Sequence, residues 1–247
     1  MTSSLSNAQI DRLGERLRAG EATEPELQLL DQYRRLFSDP YGHIIQVLRE
    51  QLRMDPTGRP AKSTTSIVEK LKRESIRLSQ MQDIAGCRLV VEDMREQEQV
   101  TERVKATFSS VTVVDRRRAP SHGYRAIHVV IRDAGRPIEM QIRTRLQHKW
   151  SELSEKLADI FDPAVKYGGG PEVIRDLLAG CSQLVGEREA AHLQLLELIT
   201  LASSQAKLPE DVARQIARLR ASNDSLNQRT VRYFERLIAD ITAQQEM

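Results

Sequence analysis

The sequence is poor in cysteine and has no long apolar run. Its 247 residues include two cysteines, Cys87 and Cys181, which lie far apart and lack the spacing of a metal site or redox pair. Two isolated thiols exclude a disulfide-rich secreted domain and favour a reducing compartment. No segment approaches the ~18 apolar residues that span a bilayer, and the N-terminus lacks the apolar stretch of a signal peptide. We therefore expect a cytoplasmic protein that does not bind a membrane.

Aromatic residues and a charge excess of one sign are also scarce. Aromatics make up 4% of the chain, and 37 basic residues stand against 35 acidic ones, for a net charge of +2. Any binding of phosphate or nucleic acid must therefore come from local basic patches. Apolar residues still reach 40%, which is enough for a core and excludes a disordered or collagen-like chain.

Hydrophobic periodicity divides the chain into three segments. Residues 1–54 repeat apolar positions at helical spacing, residues 55–165 mix helical and strand patterns, and residues 166–247 are helical again. A sheet covered by helices is the natural way to close the middle segment. The sequence thus predicts an α/β (α+β) fold, with a mixed β-sheet flanked by helices and with N- and C-terminal helical extensions.

Local signals predict where elements begin and end. Ser66 and Glu69 have the spacing of a capping box and predict a helix over 67–78. Turn residues predict a loop over 55–60 and a hairpin turn over 133–136. The polar cluster at 222–225 predicts a break in the C-terminal helices.

Three apolar stripes run along those C-terminal helices. Their members are Ile174, Leu177, Leu178, Cys181, Leu184 and Val185, then Val212, Ile216 and Leu219, then Val231, Phe234, Leu237, Ile238 and Ile241. Such stripes pack on the parent domain or on a partner helix. We expect a homo-oligomer assembled through these helices, or another partner bound there.

Basic residues concentrate in two places. The first is the start of the predicted helix, where lysines beside free backbone amides suit phosphate, although a solvated face is the alternative. The second covers two predicted strands and the loop before them. Its members are Arg116, Arg117, Arg118, His122, Arg125, His128, Arg132, Arg136, Arg143 and Arg145. Like charge at this density favours a bound polyphosphate or nucleic acid over a solvated surface.

Two carboxylates accompany these basic patches. Strand alternation places Glu139, Gln141 and Arg143 on one face. Asp83 precedes a predicted strand and can converge on the same cleft. A carboxylate among arginines is either an ion-pair partner or a metal ligand, and a pair of carboxylates near phosphate suits Mg²⁺.

Four motifs together resemble the synthetase domain of RelA/SpoT proteins over roughly residues 57–152. They are Lys62-x-x-x-Ser66-Ile67-x-x-Lys70, Asp83-Ile84-Ala85-Gly86-Cys87-Arg88, Gly123-Tyr124-Arg125-Ala126-Ile127-His128 and Glu139-Met140-Gln141-Ile142-Arg143-Thr144. The resemblance implies a nucleotidyltransferase-like synthetase core over 55–165. It also implies a small, stand-alone alarmone synthetase.

The resemblance further implies an ATP-dependent pyrophosphokinase. Such enzymes move the β,γ-pyrophosphate of ATP to the 3′-hydroxyl of GDP or GTP and make a (p)ppGpp-type alarmone. Asp83 and Glu139 would be the catalytic residues and would bind Mg²⁺. The implied ATP-binding residues are Arg59, Lys62, Ser66, Lys70 and Arg88. The implied acceptor-binding residues are Arg116, Arg117, Arg118, His122, Tyr124, Arg125, His128, Gln141 and Arg143, with Tyr124 stacking on the acceptor base.

The chain departs from the family pattern at two points. Pro60 stands where an arginine is usual, with Arg59 displaced by one residue. Pro120-Ser121-His122 replaces a Pro-Lys-x-Asn segment whose lysine faces the acceptor's 5′ phosphates. Two alternatives therefore stay open. One is a toxin enzyme that pyrophosphorylates the 3′ end of tRNA and blocks translation. The other is a non-catalytic oligomerisation or antitoxin-binding module.

Overall fold

The computed structural model describes residues 5–204 and 209–245. The N-terminal helices are α1 (Asn7–Ala19), α2 (Glu24–Arg35) and α3 (Ser38–Glu50). The middle of the chain forms β1 (Thr57–Arg59), α4 (Thr64–Arg73), β2 (Ala85–Val91), α5 (Met94–Thr107), β3 (Val111–Asp115), β4 (Ile127–Asp133), β5 (Arg136–Thr144) and α6 (Arg145–Ile160). Two long helices follow, α7 (Glu172–Ser203) and α8 (Glu210–Gln245), and short 3₁₀ turns cover Leu78–Gln80 and Pro163–Tyr167.

The strands form one five-stranded sheet in the order β1-β2-β5-β4-β3. Strand β1 pairs antiparallel with β2, with Gly58 opposite Cys87. The predicted hairpin turn between β4 and β5 is confirmed. Its two turn residues, Ala134 and Gly135, have φ of 45° and 75°, as a tight two-residue turn between twisted strands requires. The predicted α+β class, with a mixed sheet flanked by helices, is also confirmed.

The chain divides into two compact units. The first comprises residues 1–89, 102–114 and 128–141. In this unit α1 packs on α4 and on the 3₁₀ turn at Leu78–Gln80. Its core is built from fully buried apolar side chains, among them Leu30, Phe37, Ile44, Ile67 and Met81.

The second unit comprises residues 90–101, 115–127 and 142–247. Here α6 packs against both α7 and α8. The shared core joins Trp150, Leu153 and Leu157 of α6 to Leu178 of α7 and Phe234 of α8. Members of the first and third predicted stripes therefore pack on a helix of the same chain. The expected homo-oligomer stays a prediction, as does the predicted division at 1–54, 55–165 and 166–247.

The predicted helix over 67–78 has different ends. Helix α4 begins at Thr64, because Ser63 is its N-cap and the Ser63 hydroxyl accepts a hydrogen bond from the Ser66 amide at 3.2 Å. The predicted capping box at Ser66 is therefore wrong. The helix ends at Arg73, since Glu74 is already extended, and Leu78 lies buried in the 3₁₀ turn instead.

Two other local predictions are wrong. The predicted loop over 55–60 contains β1, an edge strand of the sheet, and edge strands tolerate adjacent prolines because one side needs no ladder hydrogen bonds. The predicted break at 222–225 does not occur, since α8 runs through it. Asn223 is buried there and its side-chain amide contacts His192 Nδ1 at 2.7 Å, which satisfies a polar group that would otherwise favour a turn.

None of the helices in residues 5–204 and 209–245 is long and apolar enough to cross a bilayer.

Candidate functional site

Asp83 in the first unit is held between two lysines. Lys70 Nζ donates to Asp83 Oδ1 at 3.0 Å, and Lys62 Nζ donates to Oδ2 at 2.9 Å. Arg59 adds a hydrogen bond to the Asp83 carbonyl oxygen at 3.1 Å. Three predicted ATP-binding residues thus surround one predicted metal ligand.

Local structure explains why these residues meet. The antiparallel pairing of β1 with β2 sets Arg59 opposite Gly86. The Lys62 amide then donates to the Ile84 carbonyl at 2.7 Å, which fixes the lysine beside Asp83. Ile67 and Leu71 of α4 are buried in the core. Lys70, next to Leu71, therefore reaches the same carboxylate from the edge of the helix's buried face.

The charges in this cluster shift one another's protonation. Burial alone would raise the pKa of Asp83, but the Lys70 and Lys62 ammonium groups and their hydrogen bonds outweigh it and lower that pKa to about 2. Burial lowers the pKa of Lys62 even though Asp83 opposes the change. The ion pair stabilises the charged form of Asp83, but burial of the Lys62 ammonium group offsets part of that stabilisation.

Glu139, the other predicted catalytic residue, is held at both oxygens. His128 Nδ1 lies 2.8 Å from Oε1, and the Gln141 amide donates to Oε2 at 3.0 Å. Burial and the Asp83 charge would raise the pKa of Glu139, yet His128 and Gln141 lower it overall. An ionised carboxylate cannot donate, so the hydrogen bond places a proton on His128 Nδ1.

Glycine 86 allows β2 to approach β5 beside this carboxylate. A Cβ at this position would run into the backbone carbonyl oxygen of Glu139. The Asp-Ile-Ala-Gly motif thus couples Asp83, three residues earlier, to the strand that carries Glu139.

Of the other residues predicted to bind ATP, Ser66 accepts a hydrogen bond from the Ser63 hydroxyl at 2.9 Å, and Arg88 lies half-buried on β2 opposite Thr57.

The second unit holds the remaining predicted acceptor residues. Arg143 Nη2 donates to the Tyr124 hydroxyl at 3.2 Å, and its guanidinium lies 5.1 Å from the centre of the Tyr124 ring. The ring also packs against the core built on α6, α7 and α8. Contacts to the hydroxyl and contacts to the ring therefore both hold Tyr124 in position.

The loop before Tyr124 depends on glycine and on α7. Gly123 has φ of 88°, and a Cβ there would lie 2.7 Å from the Trp150 ring. The Ser182 hydroxyl donates to the Gly123 carbonyl at 2.8 Å. Arg125 donates to the Arg117 carbonyl at 2.7 Å. His122 also has a positive φ, 52°.

Arg117 is engaged by side chains of its own unit. It is buried and donates to both oxygens of Asp115, as well as to Glu98 and Gln97. Its hydrogen bonds are the main cause that lowers the pKa of Asp115. Of its neighbours, Arg116 is half-buried and Arg118 is exposed. The predicted positive face is thus partly neutralised by protein carboxylates.

Sequence reasoning missed a buried polar network in the second unit. Thr144 and Gln147 donate to the Glu189 carboxyl at 2.6 and 2.9 Å, and Gln97 donates to Gln147 at 2.9 Å. The capping-box spacing of Thr144 and Gln147 could have indicated the start of α6. No sequence signal points to Glu189 or to Ser182, because both lie far along the chain on α7.

The predicted site residues divide between the two units. The first unit contains every predicted ATP-binding and metal-binding residue, together with His128 and Gln141. Within the described residues, no group of three or more histidine, cysteine, aspartate or glutamate side chains is arranged to hold a metal. Asp83 and Glu139 are the carboxylates that could share one cation with a phosphate substrate.

The chain is similar to known proteins in part of its sequence and in its fold. Residues 58–158 match the family model described as the region found in RelA / SpoT proteins. Residues 58–158, called the RelA/SpoT region below, are thus similar to that family. The fold is similar to the crystal structure of small alarmone synthetase 1 from Bacillus subtilis, with a TM-score of 0.52 and 25% identity over 70% of this chain and 100% of that one. The structure of that enzyme bound to its product pppGpp gives a TM-score of 0.51 at 24% identity, over 72% of this chain and 100% of that one.

Curated relatives match about half of the chain. Uncharacterized proteins of Mycobacterium bovis and Mycobacterium tuberculosis are 33% identical over 141 residues, which is 55% of this chain and 52% of each relative. The chain therefore spans about half the length of the curated relatives that it matches.

Proposed function

We propose that this chain is an ATP-dependent pyrophosphokinase that uses GDP or GTP as acceptor and releases AMP and a (p)ppGpp-type alarmone. The observation that carries the proposal is the Asp83 cluster with its lysines, in the same unit as the oriented carboxylate of Glu139. Both lie in the RelA/SpoT region, and the similar Bacillus subtilis protein is an alarmone synthetase.

The chain's own side chains supply positioning and charge, which is what phosphoryl transfer chiefly requires. The acceptor's 3′-oxygen bonds to the β-phosphorus of ATP while the bond from that phosphorus to the α,β-bridging oxygen breaks, and AMP leaves. Lys62, Lys70 and Arg59 hold the phosphates. Glu139 takes the acceptor's proton, and His128 and Gln141 keep its carboxylate oriented.

Asp83 and Glu139 fit a magnesium ion. Both are carboxylates of the first unit, and the close approach of Gly86 to Glu139 sets the strand that follows Asp83 beside the strand that carries Glu139. Mg²⁺ commonly takes one or two protein carboxylates and completes its coordination with substrate phosphates and water. Bound there, the ion would offset charge that develops on the transferred group.

Labelled ATP incubated with GDP, GTP and deacylated tRNA in parallel tests the proposal. Wild type should label GDP or GTP, and Asp83→Asn and Glu139→Gln should each lower the rate by a factor on the order of 10² to 10³. Transfer to none of the acceptors would reject the enzyme and leave a non-catalytic oligomerisation or antitoxin-binding module. Activity that survives in either variant would reject that residue's role.

The second candidate is pyrophosphorylation of the 3′ end of tRNA. The observation that favours it is Pro120-Ser121-His122, which supplies no lysine for an acceptor's 5′ phosphates, while Arg118 beside it is exposed. A terminal tRNA nucleotide has no 5′ diphosphate and loses nothing by that absence. Label in tRNA alone, with a steep salt dependence, would favour this reading.

A further inference from the structure

Both oxygens of Asp83 are occupied by ammonium groups of the protein itself. Lys70 takes Oδ1 and Lys62 takes Oδ2, and Arg59 Nη2 lies 3.9 Å from Oδ2. The three side chains that meet here are mostly buried, with exposed fractions of 10% for Lys62, 20% for Lys70 and 12% for Asp83. Little water competes for these contacts, so the ion pairs are stronger than at a surface.

This arrangement conflicts with simple metal binding. A divalent cation needs the same carboxylate lone pairs that the two ammonium groups occupy, and it would approach three like charges. A triphosphate meets the opposite situation, because three cations beside one carboxylate attract it. The cluster as it stands therefore favours phosphate and disfavours a free metal ion.

We propose that Lys62 and Lys70 are internal counter-ions that exclude metal from Asp83 until ATP arrives. The triphosphate draws the ammonium groups off the carboxylate, and a divalent cation then takes their place. This inference rests on the proposed function, since it takes ATP as the phosphate donor. Because binding linkage is reciprocal, ATP and the cation raise each other's affinity by the same factor.

Manganese binding without nucleotide tests the inference on the full-length chain. The electron paramagnetic resonance signal of free Mn²⁺ reports binding to wild type, Lys62→Met, Lys70→Met and Lys72→Met. Lys72 is the matched control, because it is exposed on the same helix and its loss removes the same charge. Lys62→Met and Lys70→Met should each bind Mn²⁺ about tenfold or more tightly than wild type, within the usual range of coupling between sites. Lys72→Met should match wild type.

The site of the gained affinity needs its own control. Adding Asp83→Asn to Lys70→Met should abolish the gain, and circular dichroism should show that each variant is folded. Lys70 is the more exposed of the two lysines, so its variant keeps the test valid where Lys62→Met does not fold. Equal Mn²⁺ affinity in wild type and the folded lysine variants would overturn the inference. An equal gain in Lys72→Met would overturn it too, since that would be a general charge effect.

Nucleotide binding separates this inference from the proposed function. Calorimetry with a non-hydrolysable ATP analogue in EDTA should detect binding to wild type, because the lysines bind phosphate without metal. A chain that binds no analogue with or without metal rejects the proposed function. A chain that binds the analogue, but whose Mn²⁺ affinity is independent of Lys62 and Lys70, rejects only the exchange.

Discussion

The Nδ1 atom of His128 lies 2.8 Å from the Oε1 atom of Glu139. The contact joins neighbouring strands β4 and β5 in the first unit. Because Gln141 holds the other oxygen, the carboxylate has a defined orientation before any substrate binds. If Glu139 is the base of the proposed reaction, this orientation would reduce the entropy lost when the acceptor hydroxyl arrives.

His128 is accordingly expected to be a positioning residue. His128→Ala should lower kcat by about 10- to 100-fold, as loss of an orienting partner typically does, with little change in KM for ATP. His128→Asn should recover part of the rate, because its amide can donate from nearly the same place as Nδ1. Steady-state kinetics checks this, with His43→Ala as control, since His43 is an exposed histidine that pairs with Asp133. Equal rates in the Ala and Asn variants would contradict positioning.

Tyr124 offers a second test, because its hydroxyl can be removed without its ring. Tyr124→Ala should weaken transfer by about 5- to 150-fold, because stacking of a base on an aromatic ring is worth roughly 1–3 kcal/mol. Tyr124→Phe keeps the ring and loses the hydrogen bond from Arg143 to the hydroxyl, so its rate should stay near wild type. The measurement is kcat/KM for each acceptor. A Phe variant as impaired as the Ala variant would show that the hydroxyl matters and the ring does not.

The buried carboxyl of Glu189 should make stability depend on pH. Burial raises the pKa of Glu189, and the hydrogen bonds from Thr144 and Gln147 only partly oppose it. A raised pKa means that the folded state binds the proton more tightly than the unfolded chain does. The resulting stability is present below the ordinary pKa of glutamate and is lost as the pH rises through the folded value.

Glu189→Gln removes that titration while keeping the size of the side chain. The free energy of unfolding in urea, measured from about pH 4 to about pH 8, should fall with rising pH more for wild type than for the variant. Parallel pH profiles for the two proteins would show that Glu189 does not titrate abnormally.

Two adjacent aromatics of α8 provide a matched pair for the packing of the second unit. Phe234 is fully buried in the core with α6 and α7, whereas Tyr233 is 50% exposed. Phe234→Ala should cost about 3–5 kcal/mol of unfolding free energy, the usual effect of removing a buried aromatic ring. Tyr233→Ala should cost far less. A similar loss in both, by chemical denaturation, would contradict the packing of α8 on α6.

The two cysteines should be unreactive in the folded chain. Burial raises the pKa of Cys87 to about 12, with a smaller contribution from the Glu139 charge, and burial also raises the pKa of Cys181. Since the thiolate is the nucleophile, a thiol reagent at about pH 8 should label neither residue before unfolding. Mass spectrometry of native and urea-unfolded protein checks this, and rapid labelling of Cys87 in the native chain would contradict it.

The sequence predicts which site residues meet when those residues lie close together along the chain. Lys62, Lys70 and Asp83 lie within 21 residues of one another, so strand pairing and one helix bring them together. The hairpin after β4 follows from its turn residues. The start of α4 does not follow from the sequence. Ser63 and Ser66 are both acceptable caps, and the need to bury Ile67 and Leu71 does not distinguish them.

Long-range packing explains the rest. Ser182 and Glu189 support the Tyr124 loop and the start of α6 from positions more than forty residues away, and no local pattern marks them. Arg117 was predicted among the acceptor-binding residues, yet Asp115 lies two residues away and Glu98 nineteen. Only folding shows that these carboxylates reach its guanidinium. Asn223 resembles a helix breaker until His192 contacts it.

Helix α6 limits where this chain could be shortened. The family match ends at residue 158, inside this helix, yet Trp150, Leu153 and Leu157 lie in a core completed by α7 and α8. A shortened gene ending there would expose a strip of apolar side chains and yield an aggregating product. A foreign tail spliced on would have to fit the same side chains. In this chain, the RelA/SpoT region therefore depends on the helices that follow it to cover its own apolar surface.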